Sequence, residues 1–330
     1  MNLLIIGGAG YIGSHMVKRL IASKHAVTIL DNLSTGYRDA VLGGDFIQGD
    51  VGNRALLDKI FSEHKFDAVI HFASYIQVGE SVKSPGIYYQ NNLSNTLNLL
   101  DAMITAGMKH FIFSSTAAIF GEPSYTPIDE VHPKLPINPY GRSKWMVEQI
   151  LEDYDHAYGL KSVCLRYFNA AGADPDGEIG ERHEPETHLI PILLQVASGR
   201  RERACVFGTD YPTQDGTCIR DYVHVTDLCD AHIAALDYLR DCNLSGRFNL
   251  GNGNGFSVAQ VIKTVEGVTG KLLPIDYAER RPGDSAVLVA DSKLARTTLR
   301  WVPQYTHLET IVRHAWEFEK KYYAKTKAIS

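Results

Sequence analysis

Leu3-Leu4-Ile5-Ile6-Gly7-Gly8-Ala9-Gly10-Tyr11-Ile12-Gly13 decides how this chain folds. Four apolar residues in succession make a short β-prone run. The glycines then turn the chain, and Ile12, Met16 and Leu20 recur behind them at helical spacing. A second apolar run, Ala26 to Leu30, ends on Asp31. Strand, glycine turn, helix, strand and acid together form a dinucleotide-binding unit. The glycines let the backbone approach a pyrophosphate whose charge sits at the helix N-terminus. Two spacings fit, Gly7/Gly10/Gly13 and Gly8/Gly10/Gly13. Asp31, 18 residues beyond Gly13, is placed to accept from an adenosine ribose 2′-OH and to repel a 2′-phosphate, which favours NAD over NADP.

Outward from this unit the alternation continues. Asp45–Gln48, Asp67–Phe72, Lys109–Phe113 and Lys161–Tyr167 read as strands, with helical stretches at 54–63 and 92–106 between them. Asp50, in the turn after the third strand, can reach an adenine. The pattern predicts an α/β protein, a doubly wound parallel sheet (Rossmann fold) with a smaller C-terminal substrate-binding domain. Residues 1–170 form the NAD-binding part, to which segments at about 215–250 return, and 171–330 form mainly the substrate part. In that second part, 172–186 is acidic and loop-like and Leu189–Ala197 is apolar and interrupted by proline. Helices follow near 225–240, 257–267 and 307–321, with a strand near Phe248-Asn249-Leu250.

One further stretch carries chemistry: Asn138-Pro139-Tyr140-Gly141-Arg142-Ser143-Lys144. Asn138 is a good N-cap and Pro139 suits the first helical turn. Tyr140 and Lys144, at i and i+4, then share a face, so the ammonium is expected to lower the phenol pKa and make Tyr140 a general base. Thr116, just past the end of a strand, can meet Tyr140 over a nicotinamide.

Composition excludes several classes. At 330 residues, 45% hydrophobic and 22% charged, the chain can bury a sizeable core. A net charge of −5 without a basic block argues against nucleic acid or an anionic membrane as partner. Five cysteines without CxxC pairing, no signal peptide and no apolar run of membrane length point to the cytoplasm. His183-Glu184-Pro185-Glu186-Thr187-His188 has metal-like composition, but the spacing across Pro185 keeps its histidines off one helical face, so no metal site is expected. Asn249-Leu250-Gly251-Asn252-Gly253-Asn254-Gly255 lacks the Lys-Ser/Thr of a phosphate loop and reads as a tight turn.

With the glycine turn, Ser115-Thr116 and Tyr140-x-x-x-Lys144 in place, the chain resembles the extended short-chain dehydrogenase/reductases, in particular the UDP-glucose (UDP-galactose) 4-epimerases. The likeness also includes His71-Phe72-Ala73, Val78-Gly79-Glu80-Ser81, Asn91-Asn92, Ser114 to Gly121, Arg166-Tyr167-Phe168-Asn169, Asp215 to Val225 and Arg280-Arg281-Pro282-Gly283-Asp284. It implies that Tyr11, Ile12, Asp31, Asn32, Asp50, Val51, Phe72, Ala73, Asn91, Lys144 and Phe168 surround NAD. Asn169, His188, Leu189, Phe207, Arg220, Arg281, Asp284 and Leu288 would surround the UDP-sugar. Catalysis would fall to Tyr140, Lys144 and Thr116, in a reversible 4-epimerisation through a transient 4-keto sugar with retained NAD, as in galactose metabolism. Guanidinium forks at Arg220 and Arg281 suit a diphosphate.

Within the resemblance a 4,6-dehydratase would need an Asp-Glu pair after the threonine, where Ala117 and Ala118 stand. A non-catalytic NAD sensor would lack the Tyr or the Lys. Three departures bear on detail: Ile76 where relatives often carry Lys, His188 where some carry Asn, and Leu288 where size governs acceptance of N-acetylhexosamines. The last leaves the UDP-N-acetylglucosamine/UDP-N-acetylgalactosamine pair as an alternative substrate. The resemblance further implies a homodimer joined through helices at about 88–106 and 140–158; the apolar Trp145, Ile150 and Tyr154 are compatible with facing outward there and equally with the core.

Overall fold

Leu3 and Ile5 pack on one side of a sheet and Leu4 and Ile6 on the other, all four buried. This is what an uninterrupted apolar run achieves when helices cover both faces. The computed structural model describes residues 1–281 and 284–329, with side chains through Tyr323. Pro282 and Gly283 of the Arg280–Asp284 motif lie outside the described residues.

Along the chain the strands are β1 (Asn2–Ile6), β2 (Ala26–Asp31), β3 (Asp45–Gln48), β4 (Ala68–His71), β5 (His110–Thr116), β6 (Lys161–Tyr167) and β7 (Asn169–Ala171). There follow β8 (Ala204–Phe207), β9 (Ile219–His224), β10 (Gly246–Leu250), β11 (Gly255–Ser257), β12 (Ile275–Ala278) and β13 (Val287–Leu288). Seven strands form one sheet in the order β10-β6-β5-β4-β1-β2-β3, and every pairing in it is parallel. The fold is the doubly wound α/β type, with a switch of direction between β1 and β4 where ligands bind in such sheets.

The helices Tyr11–Ala22 and Val225–Cys242 cover one face through Met16, Leu20, Leu228 and Leu236. Trp301 joins the same core, its indole donating to the Asp227 carbonyl at 2.8 Å. Helices Arg54–Glu63, Asn95–Thr105 and Pro139–Tyr158 cover the other face through Leu57, Leu99, Val147 and Leu151. Strand β10 lies beside β6 in the large sheet.

A separate core gathers Ile190, Leu193, Val261, Val265, Ile311 and Trp316 from helices Leu189–Ala197, Val258–Thr269 and Leu308–Ile329. Pro191 does not break the first of these, because it stands in the opening turn where its missing N–H has no intrahelical acceptor. The helix expected at 92–106 differs in its start. Tyr89–Ser94 is π-helical and α geometry begins at Asn95. The strands β7, β8, β9, β11, β12 and β13 are mostly two to four residues long, and hydrophobic alternation gives little signal at that length. Residues 251–254, expected as a tight turn, form instead a link from β10 of the large sheet to β11 beside β9, bending at Gly253 with φ +81°. Asn252 and Gly253 donate their N–H groups to the buried carboxylate of Asp221.

Trp145, Ile150 and Tyr154 are half-buried against the chain's own cores rather than free on the surface. Among the described residues no helix is long and apolar enough to cross a membrane.

Helix Pro139–Tyr158 is tied to the sheet by a buried ion pair. Arg166 of β6 meets Glu148 at 2.6 Å, with both side chains at most 1% exposed, and Ser115 of β5 donates to the same carboxylate at 2.5 Å. Removing one partner strands the other charge without solvent. Glu148→Ala should therefore lower the unfolding free energy by about 3–5 kcal/mol, read by urea denaturation against the parent protein.

Candidate functional site

The turn after β1 is shaped for close approach. Gly7 has φ +83°, and a Cβ there would lie 2.6 Å from the Ala73 nitrogen. At Gly13 a Cβ would meet the Gly7 carbonyl oxygen at 2.1 Å. Gly10 caps helix Tyr11–Ala22 without a side chain, and a Cβ there would find only the Gly7 oxygen, at 3.5 Å. The helix N-terminus is thus bare and accessible to an anion. The positive φ makes Gly7/Gly10/Gly13 the spacing that the turn requires. Gly8 is excluded from a side chain for another reason, the Ile29 side chain 2.6 Å from its Cβ direction.

Around this turn the expected cofactor residues assemble. Asp31 accepts from the N–H of Ala9 and of Leu33, both at 2.8 Å, so it braces the glycine turn as well as ending β2. Asn32 donates to Asp50 at 2.7 Å. Val51 is buried in the sheet's second core and Ile12 packs half-buried on the first. Phe72 follows β4 and lies 4.9 Å from the His232 ring. Tyr11 donates from its hydroxyl to the Gly172 carbonyl at 2.7 Å, and its phenol pKa is raised well above the ordinary value by burial first and then by Glu181. Asn91 sits in the π-helical stretch and donates to Asn92 at 3.1 Å. Ile76 is exposed.

At the carboxyl ends of β5 and β6 stand the reactive groups. Asn138 accepts from the Gly141 N–H at 2.8 Å and starts the helix, as expected. Tyr140 is hydrogen-bonded to the Thr116 side chain. The expected effect of Lys144 on Tyr140 is corrected by the structure. The ammonium donates to Ser74 Oγ at 2.8 Å and to the Ser114 carbonyl at 2.7 Å, 4.7 Å from the centre of the Phe113 ring. Burial raises the Tyr140 pKa, and only the Thr116 bond opposes it. Lys144 is 2% exposed, and burial pushes its pKa down to about 7.

Of the expected substrate residues, Asn169 comes from the first part of the chain and the others from the second. Asn169 donates to the Asp221 carbonyl at 2.9 Å. Arg220 reaches the Ser285 carbonyl at 2.8 Å and Asp284 at 3.4 Å, while Arg281 pairs with the same Asp284 at 3.1 Å and covers the Phe207 ring at 4.6 Å. Leu288 pairs in register with Arg220 and packs with Phe168 on the small core of Ala117, Ile119, Phe120 and Ile128. Leu189 opens its helix, preceded by His188.

His183 and His188 overturn the argument made from their spacing. No helix is needed, because the loop folds back and brings the rings to 5.2 Å. Both imidazoles lie against Glu181 and Glu186. Burial opposes charge on both rings, but the two carboxylates outweigh it, raising His188 to about 10 and His183 to about 9.

Three supporting residues were not singled out from the sequence. Ser74 and Ser114 receive the Lys144 ammonium. Asn92, fully buried, donates to Tyr75 O and Ser143 Oγ and accepts from the Tyr75 N–H, which locks the π-helical stretch to the Tyr140 helix. The adjacent Asn91-Asn92 pair was the available signal.

Comparison with known proteins gives the family of the chain. Residues 3–251 match the NAD dependent epimerase/dehydratase family. A UDP-glucose 4-epimerase of Halalkalibacterium halodurans is 53% identical over 322 residues, spanning 98% of this chain and 96% of that protein. The crystal structure of UDP-glucose 4-epimerase from Brucella ovis in complex with NAD superposes with a TM-score of 0.94 at 47% identity, covering 96% of this chain and 98% of the other. The UDP-Glc/GlcNAc 4-epimerase of Campylobacter jejuni does so with a TM-score of 0.85 at 44% identity, over 97% and 99%.

The Lys144 environment has a measurable consequence. Its native pKa of about 7 lies below the unfolded value of 10.5, so between those pH values the unfolded chain binds more protons. Lys144 therefore makes stability rise with pH through that window. In nucleotide-free protein, Lys144→Met should raise stability near pH 7 and flatten the rise toward pH 10, measured by urea denaturation at both pH values. An unchanged slope would contradict the assignment.

Proposed function

The chain belongs to the NAD dependent epimerase/dehydratase family, and we propose that it interconverts UDP-glucose and UDP-galactose by inverting the sugar C4 through a transient 4-keto sugar. The observation that carries this reading is the placing of Thr116, at the end of β5, beside Tyr140 and the buried Lys144 ammonium, which donates to Ser74 Oγ and the Ser114 carbonyl. The residues fit a dinucleotide. A bare helix N-terminus accepts pyrophosphate, Gly7 and Gly13 leave the turn flush, and Asp31 supplies an acid at the end of β2.

Bound NAD supplies the acceptor and donor of the C4 hydride, together with a positive charge that favours phenolate. Tyr140 takes the 4-OH proton and returns it to the same oxygen once the keto sugar has turned to present the other face of C4 to the hydride, and Thr116 hydrogen-bonds the reacting oxygen. Lys144 holds the nicotinamide ribose, supported from behind by Ser74 and Ser114. Arg220 and Arg281 grip the diphosphate, with Asp284 holding the two guanidinium groups together. The anchored diphosphate leaves the sugar free to rotate, so binding energy is not lost on the face that must change. Ala117 and Ala118 offer no acid or base for elimination at C6, which disfavours a dehydratase.

Residues 1–170, with 215–250, serve in this reading as the NAD-binding part, and the remainder mainly grips the nucleotide sugar. The protein acts in the cytoplasm, in galactose metabolism, as a homodimer. Exposed Val82, Ile87 and Met146 supply apolar surface near the helices proposed to pair. A second reading, the N-acetylhexosamine pair, draws on Leu288, which is smaller than tyrosine, and on the dual name of the Campylobacter jejuni relative.

Proton NMR of purified protein with UDP-galactose and no added cofactor should show UDP-glucose. Persistence of UDP-galactose even with NAD supplied would overturn the proposal. The same run with UDP-N-acetylgalactosamine decides between the two substrate pairs. Tyr140→Phe should slow turnover by roughly 10²–10⁴-fold, and near-parental turnover would refute the role given to that phenol.

A further inference from the structure

The loop that folds His183 back onto His188 also brings two carboxylates between them, and neither the glycine turn nor the Tyr140 helix uses this cluster. We propose that Glu181, His183, Glu186 and His188 form a binding site for one divalent cation of zinc type, clamping the loop 181–188 against the cofactor helix.

Geometry argues for it first. His183 Nδ1 lies 3.2 Å from Glu181 and 3.6 Å from Glu186, and His188 Nδ1 lies 2.8 Å from Glu181 and 3.1 Å from Glu186. All four ligand atoms fall within 4.8 Å of one another. A tetrahedral ion with metal–ligand bonds of about 2.0–2.2 Å separates its ligands by roughly 3.3–3.6 Å. The four histidine–carboxylate separations, 2.8–3.6 Å, bracket that spacing before any ion enters, and the whole set lies within 4.8 Å. Two imidazoles with two carboxylates are a donor set that zinc accepts.

Burial and charge argue second. The Glu181 and Glu186 side chains are 6% and 3% exposed, so two negative charges are held away from water and require two positive ones. His183 Nδ1 is shut off from solvent and makes no aligned hydrogen bond, although two carboxylates flank it. His188, 42% exposed, leaves a route from solvent. Outer contacts that orient ligands are also present. Glu186 accepts from the N–H of Thr187 and of His188, both at 2.8 Å, and Tyr11 meets His183 edge-on at 6.3 Å. Tyr11 opens the cofactor helix and His188 precedes the helix of Leu189, so the ion would join the two halves of the ligand cleft.

Two protons on the imidazoles satisfy the same charge, and metal and protons therefore compete. The other cluster of acids, Asp174, Asp176 and Glu178, already surrounds the Lys18 ammonium and has no such need.

The test uses full-length holoenzyme, dialysed against a chelator and then titrated with zinc chloride. About one ion should bind per chain, more tightly as pH rises. Cobalt(II) in place of zinc should give the strong visible bands of a tetrahedral site without thiolate charge-transfer absorption, which would betray Cys205 or Cys242 instead. His183→Gln and Glu186→Gln should each weaken binding by more than the roughly 10–100-fold that loss of an outer contact causes. No stoichiometric zinc, an octahedral cobalt spectrum, thiolate absorption, or affinity unchanged in both variants would each overturn the site. Should the variants fail to fold, the cobalt spectrum and stoichiometry of the parent protein decide the question.

Discussion

Glu148 and Arg166 meet inside the protein, and the position of the reactive groups follows from that contact. Glu148 belongs to the helix that carries Tyr140 and Lys144. Arg166 belongs to β6, and Ser115, which shares the carboxylate, stands next to Thr116 on β5. One ion pair and one hydroxyl therefore fix the helix in rotation and in height over the strand ends. An apolar contact alone would leave the helix free to slide by small amounts. A buried charge pair with a third donor does not, because any slip leaves a charge unsolvated. Asn92 secures the other side of the same helix through Ser143.

The burial that makes this site rigid also sets its electrostatics. Lys144 is placed where an ammonium is disfavoured and keeps only a hydroxyl and a carbonyl as partners. Tyr140 is likewise driven toward the neutral phenol. Lys144, at about 7, stands near the point at which a proton can move, whereas Tyr140 needs a neighbouring positive charge supplied by a ligand to become phenolate. Stability is given up locally for that readiness, a common feature of active sites.

Much of this was readable from the sequence because it depends on local pattern. The strand–glycine–helix unit, the parallel alternation and the Asn138-Pro139 helix start are each set by spacing and residue type within a few positions. The short strands β7, β11 and β13 were not, since two or three residues carry no period. Nor was the direction of the Lys144 ammonium. Spacing at i and i+4 placed it on the correct face, but Ser74 and Ser114, distant in sequence, decide what it touches. The histidines at 183 and 188 show the same limit from the other side. Helical reasoning kept them apart, whereas a loop has no fixed period and folds them together around Glu181 and Glu186. Of the residues that the sequence placed about NAD and the sugar, Asp31, Phe72, Thr116 and Asn169 stand at or just past the carboxyl ends of β2, β4, β5 and β6, and Arg220, Arg281 and Asp284 meet in the second part.

The central claim is that a hydride leaves the sugar C4 and returns to the same carbon without passing through solvent. UDP-galactose deuterated at C4, incubated with the protein in ordinary water, tests this most directly. The account predicts UDP-glucose that retains its deuterium at C4. Loss of the label to water during conversion would contradict it.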